Sequence, residues 1–220
     1  MKRVLTKFIN IIAIYLLVMS SVCAEKLMVF DFTEEELNSL EVRKVRGADA
    51  KTLYSIGNNE NGSYLKAVAE NAASGVGKEI KINLDETPFI NITWKIEKDL
   101  KGIKENTKKG HDFAARVFVI KKTGATPLSN RAINYVFSSN SNVGETWPSP
   151  YTKKSIDSVL ASTKSNLNEW VTVKANVKED FKKFHDLDVE ELSGIAIMAD
   201  TDNSKLTAVS YYQNIFFSSE

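Results

Sequence analysis

From Leu27 onward, short runs rich in Val, Ile, Phe and Tyr alternate with polar residues and are divided by clusters of Gly, Asn, Ser and Asp. This is the period-two signature of half-buried strands. In the clearest run, Phe89 to Glu97, the residues Ile90, Ile92, Trp94 and Ile96 share one face while Asn91, Thr93 and Lys95 share the other. The same pattern predicts strands at 27–32, 41–45, 52–56, 64–70, 77–84, 113–121, 132–138, 158–161, 170–177, 194–199 and 207–218. No long helical pattern separates them. The chain therefore reads as all-β: an antiparallel two-sheet β-sandwich of jelly-roll, galactose-binding-like form with one or two short helices, a closed barrel being the second choice. The first helix is announced by Thr33 and Glu36 at capping-box spacing. The second is announced by Val177, Phe181 and Phe184, with Glu179 and Asp180 early and Lys182, Lys183 and His185 late, as the helix dipole favours.

The first 24 residues break this pattern. Lys2, Arg3 and Lys7 precede an apolar stretch from Phe8 to Met19, followed by Ser20, Ser21, Val22, Cys23 and Ala24. Such an arrangement is a secretory signal peptide cut after Ala24, and the apolar stretch is too short for a membrane anchor. The expected organisation is a leader at 1–24 and a single sandwich domain at 25–220, in the periplasm or outside the cell, without membrane insertion of the mature chain. Cys23 is the only cysteine of the chain, so the mature domain would have no disulfide. Lipidation of Cys23 is the weaker reading, because Ser20 and Val22 stand where a lipoprotein signal wants a leucine-like and a small residue.

Composition narrows the function classes. The 220 residues are 43% hydrophobic and 26% charged, as in an ordinary folded domain. The 29 Lys and Arg, less the three of the leader, leave 26 against 28 acids, a net charge of −2 that gives no bulk attraction to nucleic acid. Gly75-Val76-Gly77-Lys78 has the look of a phosphate loop, but Ala72 and Glu79 occupy its required Gly and Ser/Thr positions, and it reads as a turn into a strand. With His111 and His185 as the two histidines, a three-histidine zinc site is excluded. The stretch Lys98 to Lys109 reads as a solvated lysine-rich loop.

Three features carry candidate chemistry. Arg116 lies in a run apolar on both faces, so its guanidinium needs an anion, and Asp112, Asp180, Asp200 and Asp202 are the natural partners. Asp200-Thr201-Asp202-Asn203-Ser204 concentrates side-chain oxygens. It could hold a structural calcium ion, although no EF-hand fits, and the commoner use of such a run is to cap its own turn. Among the tryptophans, Trp94 belongs to the core, Trp170 to the less apolar face of its strand, and Trp147 with Tyr151 to a turn-rich loop able to present rings to a sugar. The ligand-binding candidates are Trp147, Tyr151, Trp170 and Arg116; the polar-centre or metal candidates are Asp112, Asp200, Asp202 and Asn203.

The segments His111-Asp112-Phe113-Ala114-Ala115-Arg116, Met198-Ala199-Asp200-Thr201-Asp202-Asn203 and Tyr211-Tyr212, with Trp170, Asn176 and Asp180-Phe181, resemble the bacterial family DUF3047 over nearly the whole mature chain. In that family the first segment starts with two acids and the last strand runs Tyr-Tyr-Gly-Asp, whereas here His111 replaces the first acid and Gln213-Asn214 replace Gly-Asp. The resemblance implies an exported bacterial protein and brings no established activity. The pattern is also similar to jelly-roll carbohydrate-binding modules at the level of fold.

These readings converge on a non-catalytic binding domain for a saccharide or another envelope component, in a groove near Trp147, Tyr151 and Trp170. A carboxylate-based enzyme acting on a glycan or ester is the alternative, and a protein-docking subunit of the envelope is a third. A cleft holding a carboxylate of strongly raised pKa speaks for the enzyme, and an aromatic shelf without one for binding.

Overall fold

The computed structural model describes residues 25–126 and 129–220; the leader read at 1–24, Cys23 included, lies outside them. The strands run β1 (Lys26–Met28), β2 (Val42–Lys44), β3 (Leu53–Asn59), β4 (Gly62–Glu70), β5 (Ala73–Asn83), β6 (Phe89–Lys98) and β7 (Ala115–Lys121). They continue with β8 (Arg131–Ser138), β9 (Thr146–Ser149), β10 (Thr152–Ser162), β11 (Val171–Asn176), β12 (Glu191–Asp200) and β13 (Thr207–Ser218). Three short helices, α1 (Glu34–Ser39), α2 (Thr163–Asn166) and α3 (Val177–His185), join them. One sheet has the order β11-β6-β13-β4-β3 with β1 added on β13, and the other has the order β2-β5-β12-β7-β8-β10-β9.

The alternation in the sequence becomes the sandwich core. Ile90, Ile92, Trp94 and Ile96 of β6 are fully buried against Val117, Val119, Tyr135 and Phe137 from the facing sheet, with the Trp94 and Phe137 rings 5.5 Å apart. Hydroxyls stitch the layers where apolar contact alone would let them slide. Tyr212 of β13 donates to the Met198 carbonyl at 2.8 Å and accepts the Arg116 N–H at 3.0 Å, and Tyr54 donates to the Ser74 carbonyl at 2.5 Å. Burial lifts both phenols above the ordinary tyrosine range. Each is therefore a neutral hydrogen-bonding group at any physiological pH.

Both expected helices are present. Thr33 Oγ1 accepts the Glu36 N–H at 3.1 Å, but the Glu36 carboxylate accepts from Asp31 and Phe32 N–H groups and pairs with Lys78 rather than closing the box on Thr33. Asn176 caps α3 through the Glu179 N–H at 3.1 Å, and Val177 and Phe181 are its buried anchors.

Four expectations change. The sheets are not purely antiparallel, because β8 and β10 pair in parallel: β9 turns back on β10 from outside it and so leaves β10 running with β8. The turn-rich segment around Trp147 is itself the strand β9, where Pro148 is tolerated because the strand is at the sheet edge. Gly75 and Gly77 lie inside β5 rather than in a turn before it, and a Cβ at Gly77 would fall 2.6 Å from the Ile195 carbonyl oxygen. The lysine-rich loop is anchored by Glu105, 2% exposed, whose carboxylate accepts from the Ser138 hydroxyl, the Ser139 N–H at 2.7 Å and the Asn140 amide at 3.3 Å.

Candidate binding cleft

The outer face of the seven-stranded sheet carries a polar centre built on β7, β8, β10 and β12. Arg116 sits opposite Met198 of β12 and Val136 of β8, in the middle of the sheet. Its backbone is fixed from beneath by Tyr212. Its guanidinium lies between the rings of Phe113 and Phe118, 5.3 and 5.2 Å from their centroids, and donates to Asp200 Oδ2. The other Asp200 oxygen accepts the Phe113 N–H at 3.1 Å. Both partners are nearly sealed from solvent, at 4% and 2% exposure, and Arg116 Nε has no hydrogen-bond partner. Burial raises the Asp200 pKa to about 8, opposed by Arg116 and reinforced by Asp112 and Asp202.

Asp112 organises the oxygen-rich turn after β12. Its Oδ1 accepts the Asn203 N–H and side-chain amide at 3.2 and 2.8 Å, and its Oδ2 accepts the Ser204 N–H at 2.6 Å. The turn is thus capped by a carboxylate from another loop as well as by its own Ser204 Oγ, which accepts the Leu206 N–H at 3.4 Å. Carboxylate oxygens of Asp112, Asp200 and Asp202 lie within 4.8 Å of one another, the spacing of a cation site. N–H donors and the guanidinium contact both Asp112 oxygens and both Asp200 oxygens, whereas half-buried Asp202 accepts from the Asn203 amide at 3.4 Å and is the most accessible of the three acids. Its pKa is raised, first by burial and then by Asp112.

His111 joins a second buried cluster beside this one. Its Nε2 lies 2.8 Å from Oδ2 of the fully buried Asp157, and Asn134 Nδ2 donates to Asp157 Oδ1 at 2.6 Å. The His111 ring packs edge-on against Phe113 and Tyr151. Tyr151 in turn donates to Asn203 Oδ1 at 2.6 Å and is 57% exposed, which places a ring at the mouth. His111, Asn134, Tyr151 and Asn203 line a cleft of about 380 Å³ with Asp200 and Asp202, and Asn134 Oδ1 in it has no hydrogen-bond partner. Asn214 is exposed with φ 49° on β13 of the opposite sheet and shares no site with His111.

The candidate residues separate into three places. Arg116, Asp112, Asp200, Asp202, Asn203 and Tyr151 meet in the cleft. Trp147 turns back onto Phe113, Val136 and Val159 beside it, so its ring is packing rather than a presented platform. Trp170 joins the other sheet, against Tyr64 and Tyr211, so the three aromatics expected in one groove do not share it. Asp157 and Asn134 were missed by sequence reasoning. The signal available was an acid inside the run Ile156-Asp157-Ser158-Val159, which only pairing to β8 turns into a buried position.

Among solved structures, the chain is similar to the family 30 carbohydrate-binding module of a Clostridium thermocellum cellulosomal cellulase, with TM-score 0.51, 9% identity and coverage of 89% of this chain and 98% of that one. A family 11 carbohydrate-binding module from a cellulosomal cellulase of the same bacterium gives TM-score 0.45 at 12% identity, covering 90% and 95% of the two chains. The xyloglucanase domain of a type three effector from Sinorhizobium fredii, in complex with cellobiose, gives 0.44 at 11% identity, covering 80% and 92%. At these identities the likeness is one of fold, a jelly-roll sandwich. No curated protein matches the chain in sequence. The family model described as a protein of unknown function, DUF3047, matches residues 38–216, and the chain belongs to that family.

Proposed function

We propose that this chain is an exported binding protein that takes a saccharide in the cleft on the outer face of its seven-stranded sheet. The observation that carries the reading is the pairing, in one cleft, of hydrogen-bonding atoms left without protein partners, Arg116 Nε and Asn134 Oδ1, with the exposed Tyr151 ring at the mouth. A buried polar atom without a partner costs free energy that a ligand hydroxyl would recover. Sugars supply such hydroxyls alongside flat C–H faces that lie on aromatic rings. The similar fold of the cellulosomal carbohydrate-binding module supports the same reading.

The test is a glycan array on the purified chain, followed by calorimetry of any hit with Tyr151→Ala and Asp202→Asn. Loss of affinity in both variants, with folding intact, is the expected result. Unchanged affinity removes the cleft from consideration.

Catalysis on a glycan or ester is the second reading, favoured by Asp200, which holds a proton to about pH 8 beside Asp202. Binding takes precedence because Asp200 is 2% exposed and lies behind the Phe113 N–H and the Arg116 guanidinium that donate to its two oxygens, so a substrate does not reach it. New reducing ends from an array hit, abolished by Asp202→Asn, would reverse that order. Export is part of the proposal, with the leader at 1–24 cut after Ala24. Intact mass of protein from its native envelope would begin at Glu25; a mass retaining the leader, or carrying lipid on Cys23, would sink it.

A further inference from the structure

We infer that the outer face of the six-stranded sheet, on the opposite side of the sandwich from the cleft, is a separate binding surface for an acidic polysaccharide. Across its middle, Lys95 of β6 pairs with Tyr211 of β13, and Tyr211 pairs with Lys66 of β4. Trp170 continues this row at the β11 edge, one residue before Val171, which pairs with Trp94. From Trp170 to Lys66 the row crosses three strand spacings, about 14 Å, which is wider than a single sugar ring.

The arrangement of charge on this row is unusual. Lys66 and Lys95 make no ion pair among the described residues; their ammonium groups lie over rings instead, Lys95 at 4.4 Å from the Tyr211 centroid and 5.5 Å from Trp170, and Lys66 at 5.6 Å from Tyr211. Tyr64 completes the cluster, 5.5 Å from Tyr211 and 6.0 Å from Trp170, and a Cβ at neighbouring Gly57 would fall 2.5 Å from its ring, so glycine there keeps the Tyr64 position open. Glu97, the acid beside the row, accepts the Tyr211 hydroxyl. The face therefore offers cations that are not neutralised by carboxylates, spaced between rings that are partly open to solvent at Tyr64 and Trp170.

That alternation fits a polymer whose units each carry a flat apolar face and a carboxylate. Rings take the sugar faces, and lysines held over them reach the carboxylates at low desolvation cost. A neutral glycan would leave the lysines unused, and a simple polyanion would leave the rings unused. The charge complementarity is local, since the mature chain as a whole is slightly acidic.

Calorimetry or affinity electrophoresis of the full mature chain with polygalacturonate, and with dextran as a neutral control, tests the inference. Polygalacturonate binding should weaken with salt. It should fall about tenfold in Lys95→Gln and again in Trp170→Ala, while Asp202→Asn in the cleft leaves it intact. Thermal melts of both variants keep the result readable, and the half-buried, near-isosteric Lys95→Gln change stands even if Trp170→Ala were to unfold the edge. Absence of binding, affinity unchanged in Lys95→Gln, or equal binding of duplex DNA or anionic vesicles without dependence on Trp170 would each overturn it. Because the cleft variant and the face variants are read separately, failure here leaves the cleft proposal standing.

Discussion

The guanidinium of Arg116 on β7 meets the carboxylate of Asp200 at the end of β12, 84 residues further along the chain, in a site almost closed to solvent. The pair is held from both sides: Tyr212 fixes the Arg116 backbone and the Phe113 N–H fixes Asp200. Removing one member of such a pair strands the other in a medium of low dielectric.

Arg116→Ala is therefore expected to cost stability in a pH-dependent way. Below about pH 8 Asp200 keeps its proton in the wild-type fold, and the variant loses mainly packing against Phe113 and Phe118. Above that pH, wild type holds the ionised carboxylate beside a cation and the variant cannot, so the difference grows toward about 3–5 kcal/mol. Urea denaturation of both proteins at pH values on either side of this point checks it. A pH-independent difference would show that Asp200 ionises much earlier.

Asp200 also sets part of the wild-type pH profile. Its native pKa of about 8 exceeds the ordinary 3.8, so the folded state binds more protons between those values. Its contribution is fully present below the ordinary carboxylate pKa and is lost as pH rises toward 8, with a slope of up to about 1.4 kcal/mol per pH unit. Raised Asp180 and Asp202 act in the same direction, while His185, whose pKa is lowered by burial, contributes stability that is lost on the acid side. Asp200→Asn should flatten the decline between about pH 5 and 8, measured as the urea midpoint across that range.

The two aromatics flanking the cleft should separate stability from binding. Trp147 packs against Phe113, Val136 and Val159, and Trp147→Ala is expected to cost about 2–4 kcal/mol, somewhat less than a fully buried aromatic. Tyr151 is 57% exposed, and Tyr151→Ala should leave the melting temperature nearly unchanged. Thermal denaturation of the two variants side by side decides it, and a large loss in Tyr151→Ala would make that ring structural.

Glu105 gives a prediction away from the site. Its buried carboxylate collects donors from Ser138, Ser139 and Asn140, so Glu105→Ala leaves those donors unpaired. A loss of about 2–4 kcal/mol is expected, combining desolvated donors with a lost charged acceptor. An equilibrium denaturation curve unchanged from wild type would show that the loop is not anchored there.

The sequence by itself determined most of the strands, the core face of β6, both capped helices, the family, and the need of Arg116 for an anion. Those are local matters: side-chain alternation repeats every two residues, caps act over three, and a charge inside an apolar run states its own requirement. Only the tertiary structure decided which anion answered. It chose Asp200 from four candidates, made Asp112 the cap of the turn, gave His111 the buried Asp157 46 residues away, and set Trp170 on the far sheet from Tyr151. The parallel β8–β10 pair and the edge strand carrying Trp147 and Pro148 were likewise invisible, because lateral strand order leaves no mark within either strand. A residue's face is written in its neighbours along the chain, whereas its partner is set by ladder pairing between segments that only the closed sandwich brings together.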